Sequence, residues 1–297
     1  MIEYRAGGTD LQQRLRSGAS QGRIVELHGE PGLAGILWAS GGGARIGALT
    51  RIAALAADGG IQGAYPALAG AAARLATPQI RAMATVGGNL LQRTRCWYFR
   101  NPAFSCFKKG GDACPARHGN HLFSSCFDLG DCVAPHPSTL AVALLAYGAN
   151  FETKNGQARP IEALYGNGSD ARNDHQLAQG DVLTAVVLPA PAENERAAYR
   201  RAIARASAEW PLVEAVVRLA LRDGIITSAR IAVGGVAPVP LRRVRSENAL
   251  VGTRGDRNSL EAAASEAADG ARPLPMTHYK RALLTVTVLD ALEHACR

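Results

Sequence analysis

Two glycine turns decide how this sequence is interpreted: Ala6-Gly7-Gly8-Thr9-Asp10-Leu11 and Ala84-Thr85-Val86-Gly87-Gly88-Asn89-Leu90-Leu91. In each turn, paired glycines let backbone N–H groups converge without obstruction by side chains, and a helix that begins there adds the positive end of its dipole. One such turn is explained equally well as a tight turn with an N-cap. Two of them, far apart in the sequence, are suited to the two phosphates of one dinucleotide. Neither has the GxGxxG pattern and no Walker A lysine pattern is present, so neither a Rossmann fold nor nucleotide hydrolysis is indicated.

The composition is that of a globular protein. Hydrophobic residues make up 47% and charged residues 20% of the 297 residues, and the formal net charge is +8. A basic balance suits an anionic ligand, nucleic acid, a membrane surface or simply a solvated surface. No segment approaches the roughly 20 apolar residues that span a bilayer, and the first residues lack the apolar core of a signal peptide. We therefore expect a cytoplasmic protein, or one exported in folded form with a partner that carries the signal.

Alternating strand and helix signals predict an α+β fold in three parts. Residues 1–60 combine short strands with short helices, and residues 61–190 contain apolar helices at 65–75 and 140–147 and a strand at 182–188. Residues 189–194 (PAPAEN) have the composition of a linker. Residues 195–297 form a smaller α/β domain whose segments 199–206 and 213–221 fit either a strand or a helix.

Five of the six cysteines fall between Cys96 and Cys132, in a segment without a helical or strand period. Such clustering argues against a disulfide framework and favours metal or redox chemistry. Four thiolates bind a [4Fe-4S] cluster, and they bind a structural zinc ion equally well. Disulfides and free buried thiols are the remaining alternatives.

The order of several motifs resembles the flavoprotein subunits of the xanthine dehydrogenase and carbon monoxide dehydrogenase family. After AGGTDL come IGALT (46–50), ATVGGNLL, HPSTLAVALLAYGA (136–149), VLTAVVLP (182–189) and RIAVGGVAPVPLR (230–242). The resemblance covers nearly the whole chain. It implies that FAD lies between two N-terminal α/β subdomains, which a smaller C-terminal α/β domain follows.

The same resemblance implies which residues contact FAD. Those expected around the pyrophosphate and the flavin are Ala6, Gly7, Gly8, Thr9, Asp10, Leu11, Gly47, Thr85, Gly87, Gly88, Asn89, Leu90, Ser138, Thr139, Leu183 and the basic residue Arg200. Two departures affect this expectation. The first glycine motif starts at residue 6, so the first subdomain is expected to be minimal, and Thr139 stands where the family usually has an aspartate.

The cysteine segment is an insertion relative to most of the family. A subset that includes aldehyde oxidoreductases and 4-hydroxybenzoyl-CoA reductase carries a [4Fe-4S] cluster in such an insert, and RTRCWYFRN (93–101) is similar to the aldehyde oxidoreductase type. The implied ligands are Cys96, Cys106, Cys114 and Cys132, with Cys126 as the alternative to Cys132.

No acid–base pair or nucleophile stands out, which suits a subunit whose chemistry belongs to its cofactors. The resemblance implies a relay. Substrate is oxidised at a molybdopterin cofactor in a separate large subunit, and electrons pass through a small [2Fe-2S] subunit to FAD and then to an outside acceptor. Neither nucleic acid nor a membrane is an expected partner.

Two other interpretations compete with the relay. One is a zinc-binding module that contacts nucleic acid through its basic loop and Trp97, Tyr98 and Phe99. The other is a degenerate member of the family that has lost FAD and serves as a scaffold.

Overall fold

The computed structural model describes residues 2–20 and 22–297, with the side chain of Gln157 also left undescribed. These residues form eleven strands and eleven α-helices with short 3₁₀ turns between them. No helix in this described part of the chain has the length and apolar character needed to cross a bilayer. The predicted α+β class is confirmed by the mixture of sheets and helices.

The N-terminal segment is a small parallel unit. It comprises β1 (Ile2–Arg5), α1 (Leu11–Arg16) and β2 (Arg23–Glu26). Strands β1 and β2 pair in parallel, from Ile2 opposite Arg23 to Arg5 opposite Glu26. A parallel pair requires a crossover connection, which the first glycine turn and α1 supply. The turn therefore follows directly after the end of strand β1.

The second unit is a five-stranded antiparallel sheet with helices packed against it. Its strands are β3 (Ile36–Trp38), β4 (Ala44–Gly47), β5 (Asn150–Thr153), β6 (Gly156–Pro160) and β7 (Leu183–Leu188), in the order β3-β4-β7-β5-β6. Its helices are α2 (Ile52–Ala57), α3 (Gly59–Ala64), α4 (Pro66–Arg74), α5 (Pro78–Met83), α6 (Val86–Leu90), α7 (Trp97–Arg100) and α8 (Thr139–Tyr147). Because β3 and β4 belong to this sheet, the predicted boundary at residue 60 does not coincide with a division between sheets.

The C-terminal unit is a four-stranded antiparallel sheet between two layers of helices. It comprises β8 (Glu195–Ala202), β9 (Val213–Arg222), β10 (Ile225–Gly234), β11 (Leu241–Arg242), α9 (Val244–Asn248), α10 (Arg257–Glu266) and α11 (Tyr279–Cys296). Of the two segments that fitted either strand or helix, 199–206 is strand through Ala202 as the end of β8, and 213–221 lies within β9. These two strands are neighbours in one sheet, with β8 at its edge and β9 inside it. β-Branched and small residues pack on both faces of this sheet.

Helix α8 joins the second and third units. All nine of its residues are buried, as expected for a helix that is apolar on every side. It packs on α4 and on strands β9 and β10, whereas α11 covers the opposite face of β8 and β9. Alternation along β8 therefore sends Tyr199 into the core that contains α8 and sends Ala198 into the core under α11.

Candidate functional site

The two glycine turns are in direct contact. A Cβ atom on Gly7 would lie 1.9 Å from the carbonyl oxygen of Met83 and 3.2 Å from the Cα of Ala84, the first residue of the second motif. No side chain fits there, so Gly7 is required by this close approach of two backbone segments. The prediction that the motifs act together is consistent with this contact.

The first turn presents unpaired backbone donors to a cavity. Gly8 has φ of +70°, in the left-handed region that favours glycine. The N–H groups of Gly7, Gly8 and Thr9 have no acceptor among the residues that the structure describes, and all three residues line a cavity of about 530 Å³. Backbone donors that converge on a cavity are suited to a phosphate or another anion.

In the second turn, N–H groups form hydrogen bonds within the protein. Gly87 N donates to Ala48 O at 2.8 Å, and Gly88 N donates to Thr85 Oγ1 at 3.1 Å. Its glycines instead allow a close approach, since a Cβ on Gly87 would lie 2.9 Å from the Cβ of Ala48. Because the Thr85 oxygen accepts from Gly88, its own proton is free to point toward a ligand in the cavity. The two turns are therefore unequal: one offers backbone donors, the other an exposed backbone and one hydroxyl.

A second, smaller cavity of about 290 Å³ adjoins the first at the turns. The predicted residues that line the large cavity are Ala6, Gly7, Gly8, Thr9, Asp10, Leu11, Thr85, Gly87, Gly88 and Leu183. Those that line the small one are Thr9, Asp10, Gly88, Asn89 and Thr139. Thr9, Asp10 and Gly88 belong to both walls. The turns thus stand at the junction of two spaces, the arrangement that a two-part elongated ligand needs.

Three predicted residues support this wall from behind. A Cβ on Gly47 would lie 2.4 Å from Leu33 O, so this glycine lets a neighbouring loop approach. Leu90 is buried, and its carbonyl accepts from the hydroxyl of Tyr165 at 3.2 Å. Ser138 is fully buried at the start of α8, and its Oγ donates to Asn89 Oδ1 at 2.6 Å. The serine therefore orients Asn89 on the wall of the small cavity.

Arg200 does not line either cavity. It faces α11, where its Nε lies 3.0 Å from Asp290 Oδ2. The next residue, Arg201, lines the small cavity together with Thr139 and Trp210. Successive side chains of a strand point to opposite faces, so the expected basic position beside the cavity is filled one residue later. The contact of Arg200 with FAD stays a prediction, and the structure places Arg201 rather than Arg200 on a cavity wall.

A buried carboxylate lies behind Arg201 and Thr139. Glu214 is 1% exposed and accepts a hydrogen bond from the hydroxyl of Tyr199 at 2.9 Å. Burial raises its pKa to about 7, although Thr139, Tyr199 and Arg201 act to lower it. Strand register explains the cluster, since Arg201 on β8 lies opposite Glu214 on β9. Sequence reasoning missed this acid because its position in an apolar strand carries no motif.

Asp10 ties the first glycine turn to the cysteine insert. Its Oδ1 lies 2.7 Å from Arg100 Nη2 and 3.1 Å from Arg95 Nη2, and its Oδ2 lies 3.1 Å from Arg14 Nε. Although burial raises its pKa, these arginines outweigh that effect and hold it below its ordinary value. Asp10 therefore offsets part of the positive charge of three arginines at the cavity junction.

Sequence reasoning also missed a long loop on the cavity wall. Residues 173–183, most of which lie outside regular structure, form one side of the large cavity with Gln92 and Arg93. Asp174 in this loop binds Arg93 and Lys108. The one sequence signal for this loop was its position before β7, because Leu183, the first residue of β7, was predicted to contact the ligand.

Four of the five clustered cysteines are electrostatic neighbours. Burial raises the pKa of the Cys96 thiol, and charges at Cys114 and Cys106 raise it further. Burial likewise raises the pKa of Cys132 to about 11, and Cys114 again contributes. Cys114 therefore acts on both Cys96 and Cys132, and Cys106 acts on Cys96.

Cys126 lies apart from that group. It is fully buried in the core under α11, with its N–H donated to Val236 O at 2.9 Å. Burial raises its pKa to about 11, and the charges that lower it are those of Lys280 and Arg243. No other cysteine acts on it. This placement favours Cys132 over Cys126 as the fourth member of the predicted ligand set.

The cysteines are not arranged for a single metal ion. A structural zinc ion draws four sulfurs to about 2.3 Å from one point. Among residues 2–20 and 22–297, no group of three or more His, Cys, Asp or Glu side chains is arranged to hold a metal ion.

The basic residues of the insert are engaged within the protein. Ion pairs with carboxylates, or hydrogen bonds to other oxygen atoms of the protein, are formed by Arg93, Arg95, Arg100, Lys108, Lys109 and Arg117. Lys109, for example, donates to Asn101 O at 2.7 Å, and Phe99 is buried beneath Arg93. Nucleic-acid binding uses cations and aromatic rings that are free to contact the ligand. The basic residues of the insert instead bind groups within the protein.

Two cavities that meet at a pair of glycine turns have the arrangement expected of a protein that binds an elongated, phosphate-containing cofactor. The family described as "FAD binding domain in molybdopterin dehydrogenase" matches residues 2–191, and that described as "CO dehydrogenase flavoprotein C-terminal domain" matches residues 183–295. The aldehyde oxidoreductase FAD-binding subunit PaoB of Escherichia coli K12 is 35% identical over 248 residues, which cover 81% of this chain and 76% of that protein.

Solved structures share the fold at lower identity. Carbon monoxide dehydrogenase from Hydrogenophaga pseudoflava superposes with a TM-score of 0.76 at 24% identity, over 99% of this chain and 89% of that one. Quinoline 2-oxidoreductase from Pseudomonas putida 86 superposes with a TM-score of 0.77 at 20% identity, over 99% and 89%. The chain belongs to the family of FAD-binding flavoprotein subunits of the molybdenum hydroxylases, which are oxidoreductases.

Proposed function

We propose that this chain is the FAD- and [4Fe-4S]-carrying electron-transfer subunit of a molybdenum-containing oxidoreductase of the aldehyde oxidoreductase type. The observation that carries the FAD part is the contact between the glycine turns beside a cavity lined by Gly7, Gly8 and Thr9, whose N–H groups have no acceptor among the described residues. The large cavity has the volume expected of a cofactor site, about 300 to 1,000 Å³. Both features fit a dinucleotide with its pyrophosphate at the turns.

The residues around the turns have distinct roles in this proposal. Gly7, Gly8 and Thr9 donate backbone hydrogen bonds to the pyrophosphate, and Thr85 adds its hydroxyl. The small cavity offers the indole of Trp210 and the guanidinium of Arg201, a flat aromatic surface and a cation that suit the flavin ring. When bound, FAD supplies the exchange of electrons between a donor and an outside acceptor.

The proposed cluster rests on donor chemistry and placement. Cys96, Cys106, Cys114 and Cys132 are neighbours, whereas Cys126 lies in a separate core. Lys108 lowers the pKa of Cys132, and Cys114 raises the pKa of Arg117. These cations offset the negative charge that four thiolates bring together. We favour an iron–sulfur cluster over zinc because the segment RTRCWYFRN (93–101) resembles the insert of aldehyde oxidoreductases.

The proposed partners are a large molybdopterin-binding subunit and a small [2Fe-2S] subunit. The relative PaoB is named as the FAD-binding subunit of an aldehyde oxidoreductase, which supports a division of the reaction among subunits. We further propose that the chain consists of two FAD-binding subdomains and a C-terminal domain beginning near residue 195. A cytoplasmic location remains a prediction.

The test is an anaerobic absorbance spectrum of the chain, alone and co-purified with its partners, with metal analysis of each sample. We expect flavin bands, a broad iron–sulfur shoulder and about four iron atoms per chain. Zinc without iron would refute the cluster and support the zinc module. A folded complex without flavin would refute the FAD proposal and support the scaffold interpretation. Salt-dependent binding of nucleic acid would contradict the assigned role of the basic loop.

A further inference from the structure

A buried acid lies directly behind the wall of the small cavity. Glu214 is 1% exposed, and it accepts a hydrogen bond from the hydroxyl of Tyr199 at 2.9 Å. The side chain of Thr139, at the start of α8, also acts on this carboxylate and lowers its pKa. Thr139 lines the small cavity, whereas Glu214 and Tyr199 do not. The acid therefore acts on a residue of the wall without lining the cavity itself.

The second wall residue that interacts with this acid is Arg201. Strand register places Arg201 on β8 opposite Glu214 on β9, so the two side chains leave the sheet on the same face. Arg201 Nη2 donates to the carbonyl oxygen of Ser207, whereas its Nη1 is buried and has no hydrogen-bond partner among the residues that the structure describes. A buried donor without an acceptor, in a residue that lines a cavity, indicates a ligand that supplies the acceptor.

One glycine of the C-terminal sheet makes room for Glu214. Gly234 on β10 lies opposite Glu214 in the register of β9 and β10. A Cβ atom on Gly234 would lie 2.6 Å from Glu214 Oε1 and 2.5 Å from Cγ2 of Val142 on α8. No side chain fits there, so Gly234 is required by the close packing of the carboxylate against α8. The motif RIAVGGVAPVPLR thus contributes the space in which the acid lies.

The titratable groups that act on Glu214 lie on β8. They are the hydroxyl of Tyr199 and the guanidinium of Arg201, and both lower the pKa of the acid. The residues that face it from α8 and β10, Thr139 and Gly234, carry no charge. Helix α11 covers the opposite face of β9, so its charged side chains do not face this acid. Burial nevertheless raises the pKa of Glu214 to about 7, so the acid changes its charge near neutral pH.

We propose that Glu214 is a positioning residue for the flavin: it orients Thr139 and Arg201 on the wall of the small cavity and, when it is ionised, lowers the reduction potential of the bound flavin. This inference rests on the proposed function, which places the flavin ring in that cavity. Two electrons taken up with one proton leave the reduced flavin with one negative charge. A buried carboxylate nearby opposes that charge, because charges interact more strongly in a buried site than in water. The cation of Arg201 acts in the opposite sense.

The experiment is a redox titration of the flavin in the holo complex, followed by absorbance at about pH 5.5 and about pH 8.5, on either side of the pKa of Glu214. In Glu214→Gln we expect the wild-type potential at the lower pH, because Glu214 is then protonated and as neutral as glutamine. At the higher pH we expect a tenfold shift of the equilibrium toward reduced flavin, which raises the potential by about 30 mV for a two-electron couple.

Tyr199→Phe keeps the test decisive if Glu214→Gln fails to assemble. It removes a hydrogen bond that lowers the pKa of Glu214, so more of the acid is neutral at the higher pH, and the potential should rise there by less than 30 mV for the two-electron couple. Arg201→Met removes the opposing cation and should lower the potential at the lower pH, where Glu214 is neutral. Glu152→Gln is the matched control, because it removes a partly buried carboxylate that pairs with Arg45 at 2.9 Å and lines neither cavity; it should leave the potential unchanged.

Equal potentials of wild type and Glu214→Gln at both pH values would overturn the proposal. The same shift at both pH values would also overturn it, since a structural effect does not follow the charge of the acid, as would an equal shift in Glu152→Gln. Wild-type complex without bound flavin would instead refute the proposed function, and the wild-type spectrum shows that result before any variant is made.

Discussion

The glycine cavity and the cysteine insert are neighbours that are built in different ways. The cavity is shaped by backbone in close contact, as where Gly7 meets Met83 and Gly87 meets Ala48. The insert, between Cys96 and Cys132, contains one short helix and two 3₁₀ turns. Its loops are held by side chains that bind backbone groups, such as Lys109 on two carbonyls and Tyr98 on Asn120 N.

This difference shows which interactions fix the structure of each site. A cavity made by close backbone contacts exists before its ligand binds, and it fails when a single Cβ is added. A loop with little backbone pairing depends on side-chain contacts and, in our proposal, on the cluster that its four thiols hold. Damage to one region should therefore leave the contents of the other largely in place.

Among variants that should change the content of one region and leave the other intact, Gly7→Ala is expected to have the largest effect. The new methyl group would overlap Met83 O, at 1.9 Å, and so force apart the two glycine turns. We expect loss of bound flavin while iron is retained, measured as the flavin-to-iron ratio of the purified complex. Gly70→Ala is the control: this glycine lies within helix α4 and its Cβ meets nothing within 4 Å, so flavin content should be unchanged and stability should rise by up to about 1 kcal/mol. Full flavin content in Gly7→Ala would contradict our account of the cavity.

The reverse separation is expected from Cys132→Ala. It removes one of four thiols from the proposed ligand set, so most of the iron should be lost while flavin stays bound. Cys126→Ala is the matched control, because this equally buried cysteine lies in a different core; its iron content should match wild type. Iron analysis and the anaerobic spectrum report both outcomes. If Cys126→Ala loses the iron and Cys132→Ala keeps it, the ligand assignment is wrong.

Behind the small cavity, Glu214→Gln should change how stability depends on pH. Burial raises the pKa of Glu214 to about 7, against an ordinary value of 4.5. Between these values the unfolded chain releases a proton that the folded chain retains, so stability falls as pH rises through this window. Relative to wild type, Glu214→Gln should gain on the order of 3 kcal/mol between pH 4.5 and pH 8, since one pKa unit is about 1.4 kcal/mol.

Urea unfolding at pH 4.5 and pH 8 measures that gain. Glu261→Gln, on the exposed face of α10, is the control and should change stability by less than about 0.5 kcal/mol at either pH. An equal effect of Glu214→Gln at both pH values would show that folding does not raise the pKa of this acid.

The smallest effect concerns the adjacent arginines of β8. Arg201→Met should weaken flavin retention several-fold, by about 1 kcal/mol, because it removes a cation from the small cavity. Arg200→Met removes only a partly exposed ion pair with Asp290, which is worth between 0 and about 1 kcal/mol of stability. Flavin release during dialysis distinguishes the two variants. Equal release from both would contradict the assignment of Arg201 to the cavity.

Local sequence signals predicted the parts of this protein that are encoded over short distances. The helix expected at 65–75 is α4 (Pro66–Arg74), and the strand expected at 182–188 is β7 (Leu183–Leu188). The predicted family is confirmed by the match over residues 2–191 and by PaoB. The expected ligand sets of FAD and the cluster remain predictions, although the structure brings most of their residues together.

The sequence by itself determined which residues have the chemistry: paired glycines free to lie close to other backbone, and thiols able to bind metal. Only the tertiary structure decided which of them meet. Strand alternation placed Arg201 rather than Arg200 on a cavity wall, packing under α11 placed Cys126 in a separate core, and folding of the loop 173–183 brought Asp174 between Arg93 and Lys108. The physical reason is that residue type and local period act within a few residues, whereas these contacts join segments far apart in the chain, whose distances are set by the packing of whole sheets and helices.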